Sequence, residues 1–301
     1  MIVPHPIPYQ GSKRRLANVI LRYAPGKVGT LIEPFAGSAA ITIASAARKL
    51  AKRYVIGDSL EPLVNVWRLI LEEPGVLSDA YEKVWSGQED DPQAHFLAVR
   101  GEFNRSRNPA QLLYLLARCV KNAVRFNGAG EFNQSADHRR TGMNPSKMRI
   151  QIMGCHTLLS GRADATFGDY GRALESATSK DLVYMDPPYQ GVTGRDPRYF
   201  EQLNFQRLMD NLESLNSRSV PYILSFDGTC GTRKYGKDLP KELKLTQVLV
   251  HTGRSSQATL NGGDAETIES LYLSPGLEAG NELMVSVATP RTTAEQLSLL
   301  V

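Results

Sequence analysis

Two kinds of hydrophobic pattern divide the chain. Over residues 1–71 and 162–301, short apolar runs alternate with stretches whose apolar residues recur at helical spacing. Such alternation predicts an α/β fold with a largely parallel sheet. The runs that read as strands are Val28–Glu33, 53–57, 164–168, Leu182–Met185, 220–226, 244–250 and Glu266–Leu273. The last two have no helix between them and read as a hairpin, so the final strand is expected to be antiparallel. Residues 283–287 read as one more short strand. The stretches 13–23, 60–71 and 204–215 read as helices, as does the segment from Ser38 to Leu50. From 72 to 161 the alternation stops and only helical spacing remains, over 75–85, 92–103, 109–124 and Pro145–Leu159. This predicts a helical unit at 72–161, inserted into an α/β domain made of 1–71 and 162–301.

Composition adds bounds. The 301 residues, 42% hydrophobic and 22% charged, suit an ordinary globular chain with a full core. No apolar run approaches the roughly 18 residues that a membrane span needs. The start, Met1 to Pro6, lacks the charged and apolar parts of a secretory leader. A cytoplasmic protein without a membrane partner is expected. Cys119, Cys155 and Cys230 lie far apart, as do the five histidines. Neither set has metal-ligand spacing, so no metal site and reduced thiols are expected.

The chemistry concentrates where the run Leu182–Met185 meets Asp186-Pro187-Pro188-Tyr189. The prolines lack an N–H and end the strand. Asp186 then stands at the carboxyl end of a buried strand, where open α/β sheets bind their ligands. These residues suit transfer to an aromatic amine. The exocyclic nitrogen of adenine is a poor nucleophile because its lone pair is delocalised into the ring. The Asp186 carboxylate and the Pro187 carbonyl together can accept both amine hydrogens and localise that pair, while the Tyr189 ring stacks on the base. The plainer alternative is a strand that ends in a turn.

Three further places border this chemistry. Tyr9-Gln10-Gly11-Ser12-Lys13 is a turn, with Ser12 a candidate helix cap and Lys13 suited to a carboxylate. Glu33-Pro34-Phe35-Ala36-Gly37-Ser38 is a strand, glycine turn and helix, in which Gly37 allows close backbone approach. Asp58 ends the next strand 21 positions after Gly37. That position suits either ribose hydroxyls or the start of the following helix. Charge singles out one stretch more. Residues 121–149 hold six Lys/Arg and two Asp/Glu, a local +4 that equals the net charge of the whole chain. Arg125, Asn127, Asn133, Arg139 and Arg140 there are candidates for phosphate and base-edge contacts with nucleic acid, against the alternative of a solvated charged loop.

In order and spacing, these pieces resemble the Dam-type (class alpha) N6-adenine-specific DNA methyltransferases. The resemblance runs from about Tyr9 to Pro275. It rests on Tyr9–Lys13, Glu33–Gly37, Asp58, Asn122 to Asn127 with Gly130 to Asn133, Asp186 to Tyr189, and Asn261-Gly262-Gly263. It implies a Rossmann-like, seven-stranded, mostly parallel methyltransferase sheet with an inserted helical target-recognition domain. It also implies S-adenosyl-L-methionine as methyl donor and adenine in double-stranded DNA as substrate, and it allows a cognate restriction endonuclease as partner. By position, Tyr9, Lys13, Asp58 and Asp186 match cofactor-contacting residues, with Glu33, Phe35 and Gly37 bordering the same turn. Asp186, Pro187 and Tyr189 match the catalytic motif. Arg125 matches an arginine that reads a guanine in relatives that recognise GATC. Ala39 stands where a glycine is common, and its methyl is expected to crowd the cofactor's amino-acid tail. An RNA adenine methyltransferase and a non-catalytic DNA-binding protein on the same scaffold are the competing readings.

Overall fold

The computed structural model describes residues 3–188, 203–230, 233–235, 239–254, 266–279 and 283–286. The expectations for Tyr189, for the loop at 191–198 and for Asn261-Gly262-Gly263 lie outside these residues.

The strands are β1 (Val28–Glu33), β2 (Ala51–Asp58), β3 (Ala163–Phe167), β4 (Leu182–Met185), β5 (Tyr222–Cys230), β6 (Arg233–Tyr235), β7 (Thr246–Arg254), β8 (Glu266–Leu273) and β9 (Met284–Ser286). They form one sheet in the order β3-β2-β1-β4-β5-β8-β7-β9, with β6 paired to β5. The neighbours from β3 to β5 pair in parallel. Strand β8 runs antiparallel to both β5 and β7, while β9 is parallel to β7. The seven expected strands therefore make the body of the sheet. Strand β9 is the further short strand expected at 283–287, and among the described residues the addition is β6, a three-residue partner of β5 that its charged sequence conceals.

Strand β4 is buried at all four positions, between β1 and β5. Its unbroken apolar run suits a strand covered on both faces. The helices around the sheet are α1 (Ala17–Ile20), α2 (Ala40–Ala47), α3 (Glu61–Glu72), α8 (Tyr170–Glu175) and α9 (Phe205–Ser217).

The inserted stretch forms α4 (Pro74–Ser86), α5 (Pro92–Ser106), α6 (Pro109–Arg118) and α7 (Pro145–Leu159). Each opens with proline in its first turn, where a missing N–H costs nothing. Asp91, Asn108 and Asn144 cap the last three through side-chain oxygens. Their apolar faces do not make a separate core. Tyr81, Phe103, Leu113, Leu116 and Ile152 join Trp67 of α3 and Leu31 and Tyr54 of the sheet in one cluster.

Two expected helices differ. In place of a helix over 13–23 there is a 3₁₀ turn, Lys13–Arg15, and then the four-residue α1. Ser12 makes no cap, because its hydroxyl bonds that of Ser38 at 2.7 Å. The helix expected over 109–124 stops at Arg118. Lys121 and Asn122 then take left-handed φ values of 59° and 52°. The Asn122 side chain donates to the Leu116 carbonyl at 2.7 Å and so satisfies one of the exposed carbonyls at the helix end. Among the described residues, no helix is long and apolar enough to cross a membrane.

Candidate active site

Strands β1, β2 and β4 lie side by side, and each ends in a carboxylate: Glu33, Asp58 and Asp186. The right register in a parallel sheet brings all three to one edge. A cleft of about 1430 Å³, its open mouth included, lies there; its walls include Tyr9, Lys13, Glu33, Phe35, Gly37, Asp58, Asp186 and Pro187. Eight of the sequence's candidates thus share one cleft.

Each wall has a local cause. After β1 the chain turns at Gly37, with φ of 50°. A Cβ at Gly37 would lie 3.1 Å from the Tyr9 ring, so the glycine lets the N-terminal segment close over the turn. The Gly37 N–H donates to Asp58 Oδ2 and the Leu60 N–H to Asp58 Oδ1, both at 2.9 Å. Asp58 therefore ties the glycine turn to the start of α3. The Trp67 indole donates to the Gly37 carbonyl at 3.0 Å and fixes the turn from below. Ala39 takes a left-handed φ of 47°, the conformation that glycine favours. Its methyl is fully buried in the core and does not line the cleft, which corrects the expected crowding.

Asp186 follows β4, whose pairing with β5 ends at Met185 and Leu224, before the two prolines. Its Oδ1 lies 3.0 Å from the Lys13 ammonium. Lys13 is buried and also lies 3.3 Å from Glu269 Oε2 on β8. The expected carboxylate partner of Lys13 is thus supplied from within the chain. Burial raises the Asp186 carboxyl to about 6, Lys13 opposing the rise and Glu269 adding to it. Glu33 sits deeper and accepts the Thr42 N–H at 2.8 Å, near the N-terminus of α2. Burial lifts it to about 7, against the hydrogen bonds from Thr42 and Ile41 and with a small addition from the charge on Asp186. Burial raises Asp58 as well. Desolvation dominates all three, because a charged form loses water that a few donors do not fully replace.

The same cleft has an aromatic wall. The rings of Phe35 and Tyr170 lie 4.8 Å apart, and the Arg207 guanidinium sits 5.5 Å from the Tyr170 ring centre. Arg207 also pairs with Asp169, donating from Nη1 at 2.8 Å. Asp169 in turn accepts the Gly171 N–H at 2.9 Å and caps α8. Asp169 thus caps a helix and, with Tyr170, borders the cleft. Arg207 has no sequence signal, since it reads as an ordinary exposed position of α9.

The basic stretch makes the cleft's outer edge. Val124 and Phe126 line the cleft, with Arg125 between them. Residues 125–133 turn back on themselves: Asn127 accepts N–H groups from Ala129 and Glu131 on its side chain, and Phe126 bridges Phe132. Helix α5 holds this turn through Asn104, which bonds both the N–H and the carbonyl of Phe132. The Asn127 amide is therefore committed within the turn, also donating to Glu131. Arg125 is half-buried, and its Nε has no hydrogen-bond partner among the described residues; Asn133 is exposed. Arg139 and Arg140 are exposed, and both pair with the buried Asp137, at 3.0 and 3.2 Å. Arg118, buried beneath them, donates to the carbonyls of Asp137 and Arg140. Asn122 joins the two regions: its carbonyl accepts the Gln10 N–H at 2.9 Å, and its side chain accepts from Arg140.

Comparison with known proteins agrees with this geometry. The D12 class N6 adenine-specific DNA methyltransferase family matches residues 9–274. The chain is 29% identical over 236 residues to the modification methylase StsI of Streptococcus sanguinis, covering 74% of this chain and 35% of that one. It is 26% identical over 245 residues to the DNA N-6-adenine-methyltransferase of Escherichia phage P1, covering 76% and 30%. It is 23% identical over 278 residues to the type II methyltransferase M1.LlaDCHI of Lactococcus lactis subsp. cremoris, covering 88% and 94%. The chain spans about a third of the length of the first two of these relatives. It belongs to the D12 class of N6 adenine-specific DNA methyltransferases.

Proposed function

We propose that this D12-class chain moves a methyl group from S-adenosyl-L-methionine to the exocyclic N6 amine of an adenine flipped out of double-stranded DNA. One observation carries the reading: the Asp186–Pro187 corner and the Gly37–Asp58 turn open into the same cleft.

The residues fit the cofactor. Each Asp58 oxygen holds one backbone N–H. A carboxylate offers about four acceptor positions, so acceptors remain for a ribose diol. Phe35 and Tyr170 present aromatic surface for a purine, and Tyr9, Lys13, Glu33 and Gly37 complete the wall. When bound, the cofactor would supply a methyl group made electrophilic by a positively charged sulfur. The chain's own residues handle the amine. Asp186, ionised, accepts one amine hydrogen and the Pro187 carbonyl the other. This draws the nitrogen towards tetrahedral geometry and frees its lone pair. Pro188 prevents the backbone from relaxing, so the acceptors stand ready before the base arrives. Tyr189 is assigned to stacking on the flipped base.

The basic edge would hold the duplex beside the cleft. Arg139 and Arg140 suit phosphate, Asn133 and Arg125 suit base edges, and Asn127 shapes the turn that presents them. Arg125, at the cleft edge, is the candidate guanine reader. A cognate restriction endonuclease belongs to the same proposal as an optional partner.

The test is transfer of tritium from labelled S-adenosyl-L-methionine to duplex DNA. Asp186→Ala is expected to lower kcat by roughly 100- to 1,000-fold with the fold intact. Full activity in that variant would remove the mechanism. Structured RNA competing in the same assay distinguishes the nucleic acid, and calorimetry of cofactor binding distinguishes a catalyst from a scaffold that only binds DNA.

A further inference from the structure

Strand β8 puts a charge where its pattern calls for an apolar residue. Its register pairs Glu269 with Val250 and Leu271 with Val248, so these four face the same side of the sheet. Val248, Val250 and Leu271 are completely buried. Glu269 takes the place of the next apolar residue at the end of that stripe nearest the cleft. On the other flank it pairs with Gly228 of β5. A Cβ at Gly228 would come within 2.6 Å of the Ile268 carbonyl and 3.5 Å of the Glu269 Cα, so β5 and β8 approach closely at this point. The buried Glu269 Oε2 has no hydrogen-bond partner among the described residues, and the charge it faces is the Lys13 ammonium, 3.3 Å away.

Lys13 is therefore shared. Asp186 and Glu269 approach one ammonium from two strands, at 3.0 and 3.3 Å. Glu33 adds a third carboxylate, from the end of β1. We infer that Glu269 is a positioning residue for methyl transfer, a second counter-ion that shares the Lys13 ammonium with Asp186. With Glu269 drawing on the same ammonium, Asp186 keeps acceptor capacity and a more basic carboxylate. Opposite charge favours the ionised form of a carboxyl and like charge disfavours it, so both roles of Glu269 act in one direction on Asp186.

The inference rests on the methyl-transfer reading, but its first test does not. In Glu269→Gln, a carbon-13 titration of the Asp186 carboxyl, assigned with Asp186→Asn, is expected to show its midpoint moved to lower pH. Glu269→Asp, whose carboxylate is one carbon further from Lys13, is expected to give a smaller shift the same way and covers failure of the first variant to fold. In the transfer assay, the acidic limb of kcat is expected to move with the carboxyl and the plateau kcat to fall, with KM for DNA unchanged. A merely structural glutamate would alter thermal stability and leave both midpoints in place. An unchanged or raised Asp186 midpoint in the folded variants overturns the inference. A wild-type protein with no transfer at any pH overturns the methyl-transfer reading instead, and the titration still decides the role of Glu269.

Discussion

Asp186 and Asp137 are the same side chain under opposite control. In the cleft, burial pushes Asp186 up to about 6, although a lysine ammonium touches it. Beneath the basic edge, hydrogen bonds and charge from Arg139, joined by Arg140, pull Asp137 down to about 2. Both carboxylates have cationic partners at about the same distance. The difference lies in what surrounds the pair. Lys13 is itself buried and divided between two carboxylates, whereas the arginines over Asp137 are solvated and concentrate on one. Distance to a cation alone does not set the acidity of a carboxylate: Asp137, itself buried, has two guanidinium partners and the Arg139 N–H, whereas Asp186 shares one ammonium. The contrast matches the tasks proposed for the two regions, an acceptor that holds electron density in one and a fixed charged scaffold in the other.

The comparison can be broken by pH. Transfer that needs ionised Asp186 is expected to fall below pH of about 6, by about tenfold for each further pH unit. DNA binding, proposed to run through the loop around Asp137, whose carboxylate stays charged, is expected to hold constant over the same range. A pH series of kcat beside DNA affinity checks both, and parallel loss of the two would abolish the distinction. Glu33 gives a smaller effect. Its folded carboxyl, near 7, lies above its ordinary value, so the folded state holds a proton that the unfolded chain releases. That contribution is complete below the ordinary carboxylate range and disappears as pH rises through about 7. Thermal stability of the wild type is expected to decline across this window and to decline less in Glu33→Gln; an identical decline would place the proton elsewhere. The smallest effect is expected from Asp137→Asn. Releasing an arginine from its internal partner should steepen the salt dependence of DNA affinity by about one phosphate contact, measured as the slope against log salt. An unchanged slope would remove Arg139 and Arg140 from the phosphate-binding set.

The main frame of this arrangement is legible in the chain because local rules and tertiary structure agree there. Leu182–Met185 is apolar without break and stops at two prolines, so both the strand and its end can be read. Pro145–Leu159 is bounded as expected, because Asn144 and Pro145 specify a helix start unaided. Where long-range contacts override local preference, the reading stops short. Lys13 sits in a turn rather than a helix, its side chain being held by residues 173 and 256 positions further along. Asn122 ends α6 early through a side-chain bond that no spacing announces. Glu269 was hidden for a simple reason: one glutamate in an alternating strand normally faces water. Only the placement of β8 between β5 and β7 turns it inwards.

That placement also bears on how the chain is made. The strand that carries Glu269 follows both β5 and β7 in the chain, yet it lies between them in the sheet. Until it arrives, the nascent polypeptide has β5 exposed along one flank, an open template for pairing with another chain. Lys13, made well before β8, meanwhile waits for its Glu269 counter-charge. The Lys13–Glu269 pair is thus deferred until synthesis has passed residue 269, so a fragment truncated before β8 would combine an unprotected strand with an ammonium that lacks this counter-charge.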